Sequence, residues 1–202
     1  KGYISIPTGN HDMPRISVQR TKRELEVVYA FLMTMPGVPF VYYGDEIGLP
    51  YRADLPSKEG GFNRTGARTP MQWTAEKNAG FPHGKPWMPV NPNHTVINAQ
   101  AQVGDPDSVF SFYQKLIRIR QEYDVVIDGR FELLMPEDEQ VFAYIRDDGK
   151  QRMLVICNFS DRDAVLTADV QMEGQILLGN YDEEGEKQKL RPWETRIVIL
   201  KE

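Results

Sequence analysis

Cysteine is almost missing from this 202-residue chain, which holds a single one, Cys157. An internal disulfide is therefore excluded. Cys157 lies in a strand-like run, where a small buried hydrophobe is expected rather than a reactive thiol. Histidine is scarce too, at three residues, and no Cys/His spacing matches a zinc site. Long apolar runs are absent. None approaches the roughly 20 residues of a membrane-spanning helix, so no membrane partner is expected. Positive charge is not in excess: 24 Lys and Arg stand against 29 Asp and Glu, a net charge of -5. With no basic cluster to neutralise phosphates, nucleic acid is not an expected partner either. Lys1-Gly2-Tyr3 carries no secretory leader pattern, and a cytoplasmic setting is favoured. The chain opens almost inside a strand and without an initiator methionine, so a piece of a longer polypeptide is expected. Internal repeats and low-complexity tracts are also lacking.

What is present is ordinary globular material. Hydrophobic residues are 41% and charged residues 26% of the chain, enough for a sizeable core in one large or two small domains. Tyr3 to Ile6 reads as a short buried strand. Thr21-Lys22-Arg23-Glu24 matches a capping box, in which the Thr oxygen accepts from the backbone three residues on and the Glu reaches back. The helix behind it shows Leu25, Val28, Leu32 and Met35 on one face and stops at Pro36-Gly37. Val38 to Tyr43 is β-branched and aromatic without polar alternation, the pattern of a strand buried on both faces. Strand, helix and strand with short connections predict a right-handed parallel unit. Gly44 to about Gly104 reads as a long irregular stretch whose aromatics (Phe62, Trp73, Phe81, Trp87) argue for order. Asp105-Pro106 then supplies an N-cap and a first-turn proline. The next helix has Val109, Phe112, Tyr113, Leu116, Ile119 and Tyr123 on one face, with Lys115, Arg118 and Arg120 turned outward.

Near Val125 the period changes from that of a helix to that of a strand. Phe131-Leu133, Val141-Ala143-Ile145, Met153-Val155-Cys157-Phe159 and Ile197-Ile199 alternate with their neighbours. Asp148-Gly149 and Glu184-Gly185 are hairpin signals. No crossover helix is visible, so an antiparallel β-sandwich is expected over 125–202, after a first domain over 1–124.

The polar chemistry gathers where the first two strands end. His11 and Asp12 follow the first strand; Asp45 and Glu46 follow the second. A His-Asp pair can be a turn Asp capping the backbone beside a loop-bound imidazole. It can also be a carboxylate that meets positive charge on a substrate, with the imidazole donating to a hydroxyl. Asp45 and Glu46 fit acid and base roles, or ion pairs with Arg64 or Arg68. Arg15, Arg64 and Arg68 are candidate clamps for a ligand or staples of the loop.

Several strings then become specific together. Gly9-Asn10-His11-Asp12-Met13-Pro14-Arg15 resembles the fourth signature region of the α-amylase superfamily. Val38-Pro39-Phe40-Val41-Tyr42-Tyr43-Gly44-Asp45-Glu46-Ile47-Gly48 resembles its eighth barrel strand and following loop. Ala67-Arg68-Thr69-Pro70-Met71-Gln72-Trp73, with Asn78-Ala79-Gly80-Phe81 and Val90-Asn91-Pro92-Asn93, looks like the α-glucosidase, oligo-1,6-glucosidase and trehalose synthase branch. The resemblance covers nearly the whole chain.

It implies an α/β architecture: the last two βα repeats of a (β/α)8 TIM barrel, followed by the antiparallel β domain. It also implies a retaining glycoside hydrolase acting on α-glucosidic bonds of short oligosaccharides, with two carboxylates about 5 Å apart doing the covalent chemistry. The third carboxylate of the family, which stabilises the transition state, maps onto Asp12. Substrate contacts map onto His11, Arg64 and Arg15. The nucleophile and the acid/base belong to earlier strands and have no counterpart in these 202 residues, so the chain alone is expected to be inactive. Two strands cannot close a barrel. Their apolar flanks call for the remainder of the barrel, self-association, or collapse onto the β domain. No cofactor is expected; calcium, known in parts of the superfamily, would belong to the rest of the barrel. Two alternatives remain: a fragment of a trehalose synthase-type isomerase, and a non-catalytic barrel homologue acting as a scaffold.

Overall fold

The computed structural model describes residues 2–58, 64–168, 173–183 and 185–201. Phe62 and Glu184, singled out above, lie outside the described residues. By backbone proximity the chain divides into two compact units. One holds 5–25 and 39–113; the other holds 1–4, 26–38 and 114–202.

The first strand, β1, is Ser5–Pro7 and the second, β2, is Val38–Phe40. They pair as a two-stranded sheet. Val38 N donates to Ile4 O at 2.8 Å and Thr8 N to Phe40 O at 2.9 Å. The bonds advance in the same sense along both strands, which makes the pair parallel. The expectation of buried strands is corrected here: Val38 is 44% and Phe40 56% exposed. An apolar strand buries only what its neighbours cover, and a two-strand ribbon leaves flanks open. The expected run to Tyr43 stops at Phe40, because the chain turns through Gly44 (φ 86°).

Helix α1, Lys22–Thr34, begins as its spacing dictates. Thr21 N donates to Glu24 Oε2 at 2.5 Å, and Glu24 N donates to Thr21 Oγ1 at 3.4 Å. Its buried face is not the expected one. Leu25 is buried, but Val28, Leu32 and Met35 are only partly so, while Val27, Ala30, Met33 and Thr34 are enclosed. The 3.6-residue period finds a helix; what packs on it chooses the face.

In the unit of 5–25 and 39–113, the stretch after β2 is built from short 3-10 turns: Asp45–Ile47, Thr65–Arg68, Lys77–Gly80 and Pro92–Thr95. A one-turn helix, α2, covers Ala99–Gln102. Ile47, Leu49 and Met71 form a small apolar core against Ile97, Ala99 and Phe110. Backbone approaches tightly at Gly66, where an added Cβ would lie 2.2 Å from the Arg52 carbonyl oxygen. Only glycine fits there.

Helix α3, Val109–Glu122, is capped by Ser108 rather than Asp105. Ser108 Oγ accepts from Ser111 N at 3.0 Å, while the Asp105 carboxylate serves a tighter turn at Asp107 N. Arg120 is not outward as expected: it turns in and donates to the carbonyls of Met33 (2.9 Å) and Gly37 at the end of α1. A further turn of helix, α4, occupies Val125–Asp128.

The remaining strands are β3 Arg130–Leu134, β4 Val141–Asp147, β5 Arg152–Asn158, β6 Ala164–Val165, β7 Gly174–Gly179, β8 Lys189–Leu190 and β9 Thr195–Leu200. Five form one antiparallel sheet in the order β3-β4-β5-β9-β7; β6 and β8 form a second, smaller layer. The β4–β5 hairpin turns at Asp148-Gly149, with Asp148 Oδ1 accepting from the amides of Lys150 and Gln151, both at 2.8 Å. Alternation puts Ala143, Ile145, Leu154, Ile156 and Val198 on one face, against Ala164, Leu166 and Leu190 of the second layer. The other face carries Phe142, Tyr144 and Cys157. Phe31 of α1 meets Phe142 edge-on at 5.3 Å, and Thr34 shares a hydrogen bond with Tyr144. Cys157 is fully buried, and burial pushes its thiol up to about 12.

Candidate functional site

The turn after β1 is local in origin. Asn10 Oδ1 accepts from Asp12 N at 2.8 Å, the side-chain-to-backbone bond that makes asparagine a turn former. It leaves the Asp12 side chain 45% exposed and that of His11 64% exposed. Arg64 and Arg68 reach the same carboxylate from the Thr65–Arg68 turn. Arg64 Nη1 donates to Asp12 Oδ1 at 2.8 Å and Arg68 Nη2 to the same oxygen at 3.0 Å. Arg68 Nε also donates to the His11 carbonyl at 3.0 Å. His11 Nε2 lies 3.4 Å from Asp12 Oδ2.

Desolvation would raise the Asp12 carboxyl, but it is outweighed. The hydrogen bonds from Arg64 and Arg68, then the charges of Arg64 and His11, hold it below its ordinary value. Asp12 is thus a solvent-facing carboxylate kept ionised by two guanidinium groups. One of its oxygens carries both arginines, and the other sits beside an imidazole. Such a group can face positive charge developing on a ligand, while the arginines and the imidazole offer donors to hydroxyls.

Of the expected site residues, His11, Asp12 and Arg64 come together. Arg68, weighed only as a clamp or staple, joins them; its spacing of four from Arg64 was the available signal. Arg15 is a correction to the expected set of ligand contacts. Its side chain is wholly buried. Its guanidinium donates to the Tyr43 carbonyl at 2.5 Å and the Ala67 carbonyl at 3.0 Å, and lies 3.4 Å from Asp45 Oδ1. A clamp on a ligand needs a free face, and this guanidinium is sealed from solvent with both terminal nitrogens turned to the protein. Asp45 accordingly pairs with Arg15. Its carboxyl is pushed up by burial, against the hydrogen bond from Thr8 Oγ1 (2.6 Å) and the charge of Arg15. Among the described residues, no group of three or more His, Cys, Asp or Glu is placed to hold a metal ion. No helix among them is long and apolar enough to cross a membrane.

A two-strand parallel unit with charged residues beyond its strand ends is followed in the chain by an antiparallel β domain. Residues 1–129 match the model of the α-amylase catalytic domain, and 131–185 that of the maltogenic amylase C-terminal domain. The chain belongs to the α-amylase family. It is 36% identical to a probable oligo-1,6-glucosidase 2 of Bacillus subtilis (strain 168), over 99% of this chain and 43% of that protein. It is 37% identical to a glucan 1,6-alpha-glucosidase of Streptococcus pneumoniae, over 98% of this chain and 43% of that one. The isomaltulose synthase of Klebsiella sp. LX3 superposes with a TM-score of 0.88 at 26% identity, over 99% of this chain and 43% of that structure. The chain therefore spans under half the length of these relatives. Its fold is that of the last two βα repeats of a TIM barrel with an antiparallel β domain behind them.

Proposed function

We propose that this chain is the C-terminal part of a retaining glycoside hydrolase that acts on α-glucosidic bonds of short oligosaccharides. The observation that carries this reading is the exposed Asp12 carboxylate, held ionised by Arg64 and Arg68 beside His11. Asp12 stabilises an oxocarbenium-like transition state; His11 and Arg64 bind hydroxyls of the sugar. The nucleophile and the acid/base come from polypeptide outside these 202 residues. That polypeptide, or a second copy of the chain, covers the apolar flank of β1 and β2. No cofactor is assigned to these residues, and a cytoplasmic setting is proposed. The names of the oligo-1,6-glucosidase and glucan 1,6-alpha-glucosidase relatives support this substrate class.

Isomerisation by the same double-displacement chemistry is the second reading, favoured by the likeness to an isomaltulose synthase. Product analysis of the complete enzyme on isomaltose, maltose, trehalose and sucrose separates the two: free glucose marks hydrolysis, a rearranged disaccharide marks isomerisation. Full turnover in an Asp12→Asn variant would remove the basis of both. The 202-residue chain alone should release no nitrophenol from a nitrophenyl α-glucoside above the blank.

A further inference from the structure

Arg68 is held between two anchored carbonyls. The Ala67 oxygen accepts from Arg15 Nη2 at 3.0 Å and from the Tyr42 hydroxyl at 3.1 Å. The Thr69 oxygen accepts from the Tyr43 hydroxyl at 2.8 Å. The peptide group before Arg68 and the one after Thr69 are thus fixed by side chains of two other loops. Arg15 is fixed in its turn. It donates to the Tyr43 carbonyl, pairs with Asp45, and its guanidinium lies 4.8 Å from the ring centres of both Tyr42 and Tyr43. Asp45 is held by Thr8 Oγ1, which also accepts from Tyr42 N at 3.0 Å. The bonds therefore run in a closed circuit from Tyr42 N through Thr8, Asp45, Arg15 and the Ala67 carbonyl back to the Tyr42 hydroxyl.

This circuit meets the Asp12 cluster twice. Arg15 follows Asp12 by three positions in the chain, so it fixes the end of the loop that carries the carboxylate. Through Ala67 it also fixes the backbone of Arg68, whose guanidinium grips both Asp12 Oδ1 and the His11 carbonyl. One buried cation thereby sets both partners of an exposed ion pair. An exposed pair left to itself is mobile and weak, because two long side chains must be held in one geometry. Pinning the backbone on both sides of Arg68 removes much of that freedom.

We propose that Arg15, Tyr42 and Tyr43 act as a positioning clamp that aims Arg68 at Asp12 and so sets the orientation and ionisation of that carboxylate. Arg15 is wholly buried and acts through its neighbours rather than on a ligand. Lysine does not replace Arg15: an ammonium is a compact point charge, without the planar fork that reaches two carbonyls and lies against two rings. The proposal gives Asp12 its meaning within the glycosidase reading, but its test needs no turnover and can succeed where that reading fails.

The test is an NMR titration of the isotope-labelled 202-residue chain. The Asp12 carboxyl carbon is followed through acid, and the Arg68 Nε–H signal through its exchange with water. Four proteins are compared: the parent chain, Arg68→Gln, the double variant Tyr42→Phe/Tyr43→Phe, and Arg15→Lys. Arg68→Gln sets the scale, since it removes the bond to Asp12 outright. The double variant keeps both rings and loses only the two hydroxyls. It is expected to raise the Asp12 midpoint by at least half the Arg68→Gln rise, with Arg68 Nε–H exchanging several-fold faster. Arg15→Lys is expected to do the same or more. A double variant that melts like the parent, yet leaves the Asp12 midpoint and Arg68 exchange where they were, overturns the proposal. Should Arg15→Lys fail to fold, the double variant decides alone.

Discussion

Two aspartates stand at the ends of successive strands, each bound to arginine, and they behave in opposite ways. Asp45 and Arg15 are sealed from solvent, and burial drives the Asp45 carboxyl up despite its counter-ion. Asp12 lies in the open, and its two arginines draw its carboxyl down. The chemistry of the pair is the same; the dielectric around it differs. Water solvates Asp12 at little cost, so its partners tilt the balance toward the charge. Asp45 is cut off from bulk solvent, and the bond from Thr8 and the charge of Arg15 do not overcome the cost of burial. The buried pair becomes architecture, and the exposed one remains a reagent.

The sharpest way to break this contrast is to remove Arg15. Arg15→Ala leaves a buried carboxylate without its cation, and a loss of about 3–5 kcal/mol in urea unfolding is expected. A loss below about 1 kcal/mol would mean that Asp45 and Arg15 are no more coupled than a surface pair. At the exposed site the cost should fall on chemistry instead. In the complete enzyme, Asp12→Asn is expected to lower kcat by about 10²-fold or more, the scale on which a preorganised electrostatic group acts. Its melting temperature should hardly move; a large drop would make Asp12 a structural residue after all. Thr8→Val takes away the 2.6 Å donor to Asp45 and the acceptor of Tyr42 N. A destabilisation of about 1–3 kcal/mol is expected, read from the same denaturation curves.

Acid titration should separate the two carboxylates by sign. Asp45 has a raised folded value, so the native state holds its proton where the unfolded chain has released it. Its contribution to stability therefore falls as pH rises from the ordinary carboxylate value through the raised one. Asp12 has a lowered folded value, so its contribution is present above the ordinary carboxylate value and is lost as pH falls through the lowered one. Urea midpoints measured across that range, with Asp45→Asn and Asp12→Asn as references, should give difference curves of opposite slope. Equal slopes would erase the distinction. The smallest effect belongs to Arg64→Ala, whose side chain is about one-third exposed. A melting shift of no more than about 2 °C is expected.

Much of this was legible beforehand where a short span of residues settles the matter. The capping box at Thr21 and Glu24 formed as spaced, and the Asp148-Gly149 hairpin turned where its residues demanded. The alternation in β4 and β5 gave strands of the expected period. The roles assigned to Asp12, His11 and Arg64 came from the family resemblance, not from periodicity; the bond from Arg64 to Asp12 is seen only in the folded chain. Where several local solutions compete, tertiary packing chooses among them. Asp105 and Ser108 both suit a helix cap, and only the path of the chain into α3 chose Ser108. Leu25, Val28, Leu32 and Met35 share a helix face, yet the residues packed on α1 covered Val27, Ala30 and Met33 instead.

By itself, then, the amino-acid order determined the cap of α1, the turn between β4 and β5, which loops carry charge, and that an aspartate would follow a histidine at the mouth of a strand. These are short-range matters of capping, period and turn chemistry, settled within a few residues. Only the tertiary structure decided which arginine serves which aspartate. Arg15 reaches carbonyls 28 and 52 positions away, and its meeting with them depends on how distant segments pack. That packing excludes water from one carboxylate and leaves it at the other. The strength of an ion pair is set by its surroundings, which no stretch of sequence contains.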